Sequence, residues 1–337
     1  MKESTQVISF GGYAATGGSA VRDLFKEFDG VAVFPTEFRV IKEHYGLLDL
    51  KSSLFFTSSP EKTDLAIKDF QWLCANFARG RSKITRSGHL YDEYTNNRFS
   101  VSVERFVSSI VDYTYPMSWH FYDFKKSYVE YMVHRCLKRL TKKMTFEKPA
   151  YMSTITEKQF DASARKFIDD VINGFLEKQN DKAAVVGLHN ALQPTSVCSL
   201  EEGSKFFEAI KVIVVDRDPR DVFLDFPKKR FLPQGVDDLH RAKCFVDFFL
   251  KLREQKKLVQ SRDDVLSLSF EDVVSDYDES VKSICRFVGS EIGSHTEKLK
   301  YFNPDLSKKN IGKYKSVKGE TARAVKYIES KLGDYIK

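Results

Sequence analysis

Val7-Ile8-Ser9-Phe10-Gly11-Gly12-Tyr13-Ala14-Ala15-Thr16-Gly17-Gly18-Ser19-Ala20 carries a short apolar run into a glycine-rich turn and then into the start of a periodic segment. Strand, glycine loop and helix in that order are the context in which backbone wraps a phosphate. Glycines reach positive φ and let the chain approach an anion closely, while free N–H groups and the macrodipole at the helix start favour negative charge. The pattern G-x-x-x-x-G-K-[ST] is met at Gly12, Gly17 and Ser19, but Gly18 stands where the lysine belongs. The loop therefore predicts a phosphate ligand and weakens an ordinary nucleoside triphosphatase. A bare strand-to-helix turn is the competing interpretation of the glycines.

Four more apolar runs, at 31–34, 184–188, 212–215 and 265–268, are rich in β-branched residues and bounded by breakers, as buried strands are. Helix-length periodic segments at 20–28, 160–176, 239–257 and 280–288 supply the crossovers that parallel strands need. The expectation is a doubly wound α/β fold with a parallel sheet flanked by helices. Residues 47–151 read differently: helical stretches at 63–78, 101–111 and 124–140 are dense in aromatics, and no clear strand interrupts them. They predict a helical insertion forming a lid or acceptor pocket. Trp72 and Cys74 fall on an apolar helical face and are expected in its core.

With 337 residues, 42% hydrophobic and 30% charged, the chain is long enough for one α/β domain with insertions, and its 28 Phe and 15 Tyr make it aromatic-rich. A net charge of +7, spread along the chain, suits a phosphorylated ligand or an acidic surface better than a nucleic acid. The five cysteines lack CxxC spacing, which predicts reduced thiols, no structural zinc and a cytoplasmic protein. No apolar run approaches the roughly 20 residues that span a bilayer, and the start is too polar for a signal peptide.

Lys211-Val-Ile-Val-Val-Asp-Arg217-Asp218-Pro219-Arg220-Asp221-Val222 is the most specific stretch. Asp218 before Pro219 reads as a helix N-cap, which places Arg217 at a strand's carboxyl end, where α/β sheets bind ligands. A planar guanidinium there grips phosphate through two hydrogen bonds, or pairs with a carboxylate such as Asp221. Strand–Arg–x–Pro–Arg–Asp–Val resembles the 3′-phosphate-binding segment of sulfotransferases that use 3′-phosphoadenosine-5′-phosphosulfate (PAPS), and the loop from Gly12 to Ser19 resembles their 5′-phosphosulfate loop. Val265 to Val273, with Phe270-Glu271-Asp272, is similar to a further segment of that family, and Ser307-Lys308-Lys309-Asn310-Ile311-Gly312-Lys313-Tyr314 to its basic loop over the nucleotide.

The resemblance implies a single sulfotransferase-like α/β domain over residues 1–337, of a bacterial, carbohydrate-sulfotransferase-like kind. It implies PAPS as co-substrate, no metal, and a hydroxyl or amine of a glycan or small molecule as acceptor. Gly12, Ala14, Ala15, Thr16, Gly17, Gly18, Ser19, Ala20, Arg217, Asp225, Lys308, Lys309 and Asn310 are then the nucleotide-binding candidates. The chain departs from the pattern twice. The loop lysine of many relatives falls at Ala15, leaving the departing phosphate to loop N–H groups, Ser19, Arg22 or Arg39. The serine usual eight residues after the arginine is Asp225, which would repel a 3′-phosphate if it pointed inward.

Sulfuryl transfer needs a base for the acceptor proton and donors for the leaving group. Glu37, in Phe34-Pro35-Thr36-Glu37-Phe38-Arg39, stands where a glutamate resembles the base of carbohydrate sulfotransferases, and a partly apolar cleft would raise its pKa. A surface ion pair with Arg39 or Lys42 is the alternative. His189 follows the third strand of the sheet and is the second catalytic candidate; imidazole is the base in relatives that act on phenols and sterols. Arg39, His44 and His120, the last in an aromatic cluster, are candidates for acceptor binding. The rival interpretations are a P-loop kinase or triphosphatase, with Asp216 as metal ligand, and a nucleotide-binding scaffold without catalysis.

Overall fold

The computed structural model describes residues 5–80, 88–117, 119, 121, 127–141, 148–179, 183–229, 231–289 and 292–336. The chain divides into two compact units, residues 1–42 with 172–337, and residues 43–171.

In the first unit, β1 (Gln6–Gly12), β2 (Val31–Glu37), β5 (Val185–His189), β6 (Ile210–Asp216) and β7 (Val265–Ser269) form one sheet in the order β2-β5-β1-β6-β7. Every pairing is parallel. The five apolar runs of the sequence are these five strands, and the three central ones, β1, β5 and β6, read as continuous runs because both their faces are buried. Successive strands lie first on one side of β1 and then on the other, so β1 ends at a switch point. In such sheets a crevice opens there outside the carboxyl ends. The parallel register brings Gly12, Glu37, His189, Asp216 and Ser269 to that one edge.

After β1 comes α1 (Gly18–Phe25), whose Val21, Leu24 and Phe25 recur at helical spacing and are buried against Ile8 and Phe10 of β1 and Ile213 and Val215 of β6. Each such side chain removed from water contributes on the order of 2 kcal/mol. Further along lie α2 (Leu47–Phe55), α3 (Pro60–Ala78), α4 (Tyr91–Tyr94), α5 (Arg98–Ile110), α6 (Tyr128–Thr141), α7 (Glu157–Gln179), α8 (Val197–Ser204), α9 (Pro219–Lys229), α10 (Asp238–Arg253), α11 (Lys256–Gln260), α12 (Phe270–Ser275), α13 (Tyr277–Val288), α14 (Pro304–Ser307) and α15 (Gly319–Leu332). Phe270, Val273, Ile284 and Val288 of α12 and α13 join the core of α1, while Val222, Phe223, Phe245, Phe249, Ala324 and Ile328 make a second core from α9, α10 and α15.

The second unit packs α3, α5 and α7 through Phe70, Phe106, Phe160 and Phe167, whose rings meet edge-on or tilted at 5.4–6.1 Å. It also contains two strands that the sequence pattern does not announce, β3 (Tyr113–Met117) and β4 (Lys148–Met152), paired antiparallel with Tyr113 opposite Met152. Pro116 sits inside β3, and its partner strand lies some thirty residues on, so neither alternation nor a tight turn marks the pair. Asp64 is fully buried and holds the region together, accepting from Trp119 Nε1 at 2.7 Å, Tyr151 N at 2.9 Å and Lys68 Nζ at 2.8 Å. Cys74 is buried as expected. Trp72 is not: it is 60% exposed, because the buried face of α3 runs through Ile67, Phe70, Leu73, Cys74 and Phe77 and leaves position 72 outside.

Candidate functional site

The loop between β1 and α1 takes its shape from sterics. A side chain at Gly12 would collide with Thr16 Oγ1 and the Val215 carbonyl, and one at Gly17 with the ring of Phe270. Gly17 has φ +101° and is the N-cap of α1, yet no side chain caps that helix. Its first N–H groups and the positive end of its dipole therefore face the loop. Ala14 and Ala15 also adopt positive φ, +81° and +55°, a conformation that costs a residue with a β-carbon on the order of 1 kcal/mol each. Gly18 backs onto Gly11 and His189: a β-carbon there would lie 3.5 Å from His189 Nε2. Thr16 is buried, Ala20 N–H donates to the Gly17 carbonyl at 2.9 Å, and Ser19 is exposed. The helix begins two residues earlier than the sequence pattern suggests.

Glu37 and His189 end neighbouring strands and are register partners across a bulge, with Phe38 N–H donating to the His189 carbonyl at 2.8 Å. Glu37 Oε1 accepts from Asn190 Nδ2 at 2.8 Å, and Oε2 lies 3.4 Å from Arg39 NH1. Burial pushes the Glu37 carboxyl up, but the Asn190 amide and the charges of Arg39 and Lys42, joined by His189 only when it is protonated, outweigh it, and its pKa is lowered. The expectation of a raised value fails for that reason: the cleft is lined by donors and cations. His189 is buried beside Phe10, and its Nδ1 has no hydrogen-bond partner among the described residues. Burial, with Arg22 and Lys42 adding to it, depresses its pKa to about 4 against the pull of Glu37. At neutral pH the site thus holds an ionised carboxylate beside a neutral imidazole.

Asn190 escaped the sequence reading. It sits at φ +59° with its N–H on the Phe10 carbonyl, and its Oδ1 occupies the space a side chain at Gly11 would need. The available signal was an asparagine directly after a strand, a residue type that tolerates left-handed backbone.

Arg217 is buried at the end of β6. Its NH1 donates to Asp225 Oδ2 at 2.9 Å and to the Ala15 carbonyl at 3.3 Å, its NH2 to the Asn310 carbonyl at 2.5 Å, and its guanidinium lies 5.1 Å from the Phe270 ring. Its ion-pair partner is therefore Asp225, not Asp221. Asp221 instead accepts from Gly312 N at 2.7 Å, and burial raises its pKa despite that bond. Asp218 accepts from the Arg220 N–H at 2.9 Å as a helix cap does, and pairs with the Arg220 side chain. Lys308 is exposed and paired with Asp305, and Lys309 is exposed as well. The lysine that reaches the cluster is Lys313, 3.0 Å and 3.1 Å from the two oxygens of Asp225. Sequence reading passed over it for the preceding pair.

Among the remaining candidates, Arg22 pairs with Asp23. His44, in the second unit, is exposed, lies tilted against the Tyr45 ring at 3.8 Å and pairs with Asp49 at 2.8 Å. His120 lies outside the described residues. Asp216, the position a triphosphatase would give to its metal ligand, is held by Arg253 at 2.6 Å and Lys256 at 2.7 Å. Burial raises its pKa, yet these two cations bring it below the ordinary value. Among the described residues no group of three His, Cys, Asp or Glu is placed to hold a metal ion.

No known family model matches the chain, and no curated protein does. Solved structures similar to it include the sulfotransferase domain of the olefin synthase of Synechococcus PCC 7002, at 13% identity and a TM-score of 0.39, over 96% of this chain and 93% of that one. The sulfotransferase domain of the curacin biosynthetic pathway aligns over 100% and 99% at 10% identity and a TM-score of 0.45. A sulfotransferase from Mycobacterium avium aligns over 99% and 76% at 10% identity and a TM-score of 0.39.

Proposed function

We propose that this chain is a sulfotransferase, taking a sulfuryl group from PAPS and passing it to a hydroxyl or amine of a glycan or small molecule. The observation that carries this reading is the ionised Glu37, placed at the same sheet edge as a phosphate-type loop and a buried arginine. In an in-line displacement the acceptor oxygen or nitrogen forms a bond to sulfur as the sulfur–oxygen bond to the 5′-phosphate breaks. Glu37 takes the acceptor's proton, and the N–H groups at the start of α1 donate to the oxygen left on the phosphate. His189, neutral, is positioned to donate or accept one hydrogen bond beside it. Arg39, His44 and His120 are assigned to the acceptor.

A nucleoside triphosphatase is disfavoured by two observations: Gly18 replaces the loop lysine, and Asp216 is committed to Arg253 and Lys256. No helix is long and apolar enough to cross a membrane among the described residues, and the five cysteines are free, which supports a site of action in the reducing cytoplasm. Calorimetric titration tests the reading. Micromolar binding of adenosine 3′,5′-bisphosphate without comparable binding of ATP and Mg²⁺ supports it, and the reverse overturns it. Release of the bisphosphate from PAPS, dependent on an acceptor, separates an enzyme from a scaffold.

A further inference from the structure

The helix α6 repeats the pattern of the buried helices without being buried. Ser127 and Glu130 fix its start as a capping box: the Ser127 N–H donates to Glu130 Oε2 at 2.8 Å, and the Glu130 N–H donates to Ser127 Oγ at 3.3 Å. From there Val129, Met132, Val133, Cys136 and Leu140 recur at i, i+3, i+4, i+7 and i+11, so they share one face. In α3 and α5 such a face is core: Phe70, Leu73 and Phe77 of the one, and Phe99, Val103 and Phe106 of the other, are buried. In α6 every member of the stripe is exposed, Val129 at 70%, Val133 at 50% and Leu140 at 81%. Tyr128, Tyr131, Arg135 and Arg139 follow one border of the stripe at the same helical spacing and are exposed as well. The helix carries Arg135, Lys138 and Arg139 against a single acid, Glu130.

A contiguous apolar stripe left in water marks a surface that something covers. A second copy of this chain fits it poorly. With 14 residues α6 is roughly 21 Å long, and one stripe of that length falls short of the ~800 Å² that each partner of a stable pair buries. In a two-fold pairing of α6 with itself the residue nearest the middle meets its own copy, which sets Arg135 against Arg135. A groove in an acidic protein takes a helix through large anchors on its apolar face. Here that face is Val, Met, Cys and Leu, and the aromatic residues stand at its border beside the arginines. That arrangement matches a bilayer: acyl chains accept the stripe, tyrosines settle at headgroup level, and arginines lay their stems on the apolar side while their charge reaches the headgroups.

We propose that α6 attaches the chain to an anionic lipid surface, with Val129, Met132, Val133, Cys136 and Leu140 at the boundary of headgroups and acyl chains and Arg135 and Arg139 on the lipid phosphates and carboxylates. The attachment is independent of the reaction proposed above.

Flotation of the full chain with vesicles of phosphatidylcholine, alone or mixed with phosphatidylserine, tests this. The protein is expected to float with the mixed vesicles, to stay behind with phosphatidylcholine alone, and to be released as ionic strength rises. Val133→Glu with Leu140→Glu puts two carboxylates on the stripe and lowers the partition coefficient by about tenfold or more, and Arg135→Ala with Arg139→Ala does so through lost charge. All four positions are exposed, and a circular dichroism spectrum like that of the wild type checks the fold of each variant. Val133→Trp keeps the stripe apolar, and its emission relative to wild type shifts to the blue on mixed vesicles. A wild type that fails to float, a partition unmoved by the two glutamates, or an unshifted Val133→Trp emission overturns the proposal. A dimer that the same glutamates disperse gives the stripe to a second copy, and binding to poly-glutamate with none to vesicles gives it to an acidic protein; either result overturns the proposal too.

Discussion

Asn190 joins the two halves of the site: its Nδ2 donates to Glu37 Oε1 at 2.8 Å while its Oδ1 lies over Gly11 at the mouth of the phosphate loop. The backbone conformation of Asn190, held by its N–H on the Phe10 carbonyl, fixes the direction of the amide. The carboxylate of Glu37 is thereby aimed by a residue anchored to the same strand end that starts the loop.

Asn190→Ala removes a donor that favours the ionised form of Glu37, so the Glu37 pKa rises. With Glu37 as the base, wild-type activity is expected to persist down to acid pH and to be lost as pH falls through that depressed pKa. In the variant the acid limb of the kcat/KM profile moves to higher pH. An acid limb that stays in place would show that Asn190 does not act through Glu37.

Glu37→Gln keeps the side chain's shape and its contact with Asn190 but cannot accept a proton. Turnover is expected to drop by roughly two to four orders of magnitude, the usual contribution of a general base, with nucleotide affinity unchanged. Single-turnover rates and a parallel titration separate the two effects, and an unaltered rate removes Glu37 from the chemistry.

Gly17→Ala combines a positive φ with a collision against Phe270, whereas Gly30→Ala meets the same backbone preference at φ +69° in open space. Both variants carry a strain on the order of 1 kcal/mol. Gly17→Ala alone should also abolish nucleotide binding, because the loop must shift to admit the β-carbon. Equal nucleotide affinity in the two variants would mean that the loop does not form the ligand site.

Arg253→Met leaves Asp216 half-neutralised beneath Tyr13. Arg253 is buried, stacked 4.5 Å from the Tyr13 ring and 3.4 Å from that of Phe249, and its pairing with Asp216 is among the most sheltered in the chain. Removing one partner of a buried pair costs about 3–5 kcal/mol when the other charge is left bare, and Lys256, 2.7 Å from Asp216, makes the loss here smaller than that. Denaturant unfolding should show that loss, and Asp216→Asn in the same background should recover part of it. If the single variant unfolds like wild type, the pair is dispensable.

The fold was legible because its evidence is local. Runs such as Val212–Val215 are apolar throughout because both faces of the sheet are covered, and each leaves its mark within a few residues. Gly12 and Gly17 were legible as a tight strand-to-helix turn for a like reason, since Gly17 takes a positive φ and neither position has room for a β-carbon. The antiparallel pair was not, because β3 carries a proline and its partner is distant in the chain.

By itself, then, the sequence determined the parallel sheet, the loop at its first strand and the placement of Glu37, His189 and Arg217 at strand ends. The tertiary structure alone decided which polar groups meet: Lys313 rather than Lys308 at Asp225, Asp225 rather than Asp221 at Arg217, and the Asn190 amide on Glu37. Apolar burial acts through periodicity along the chain and so is written locally. Charge pairing is decided by distance in space between residues such as Asp225 and Lys313, 88 positions apart, and no local pattern records it.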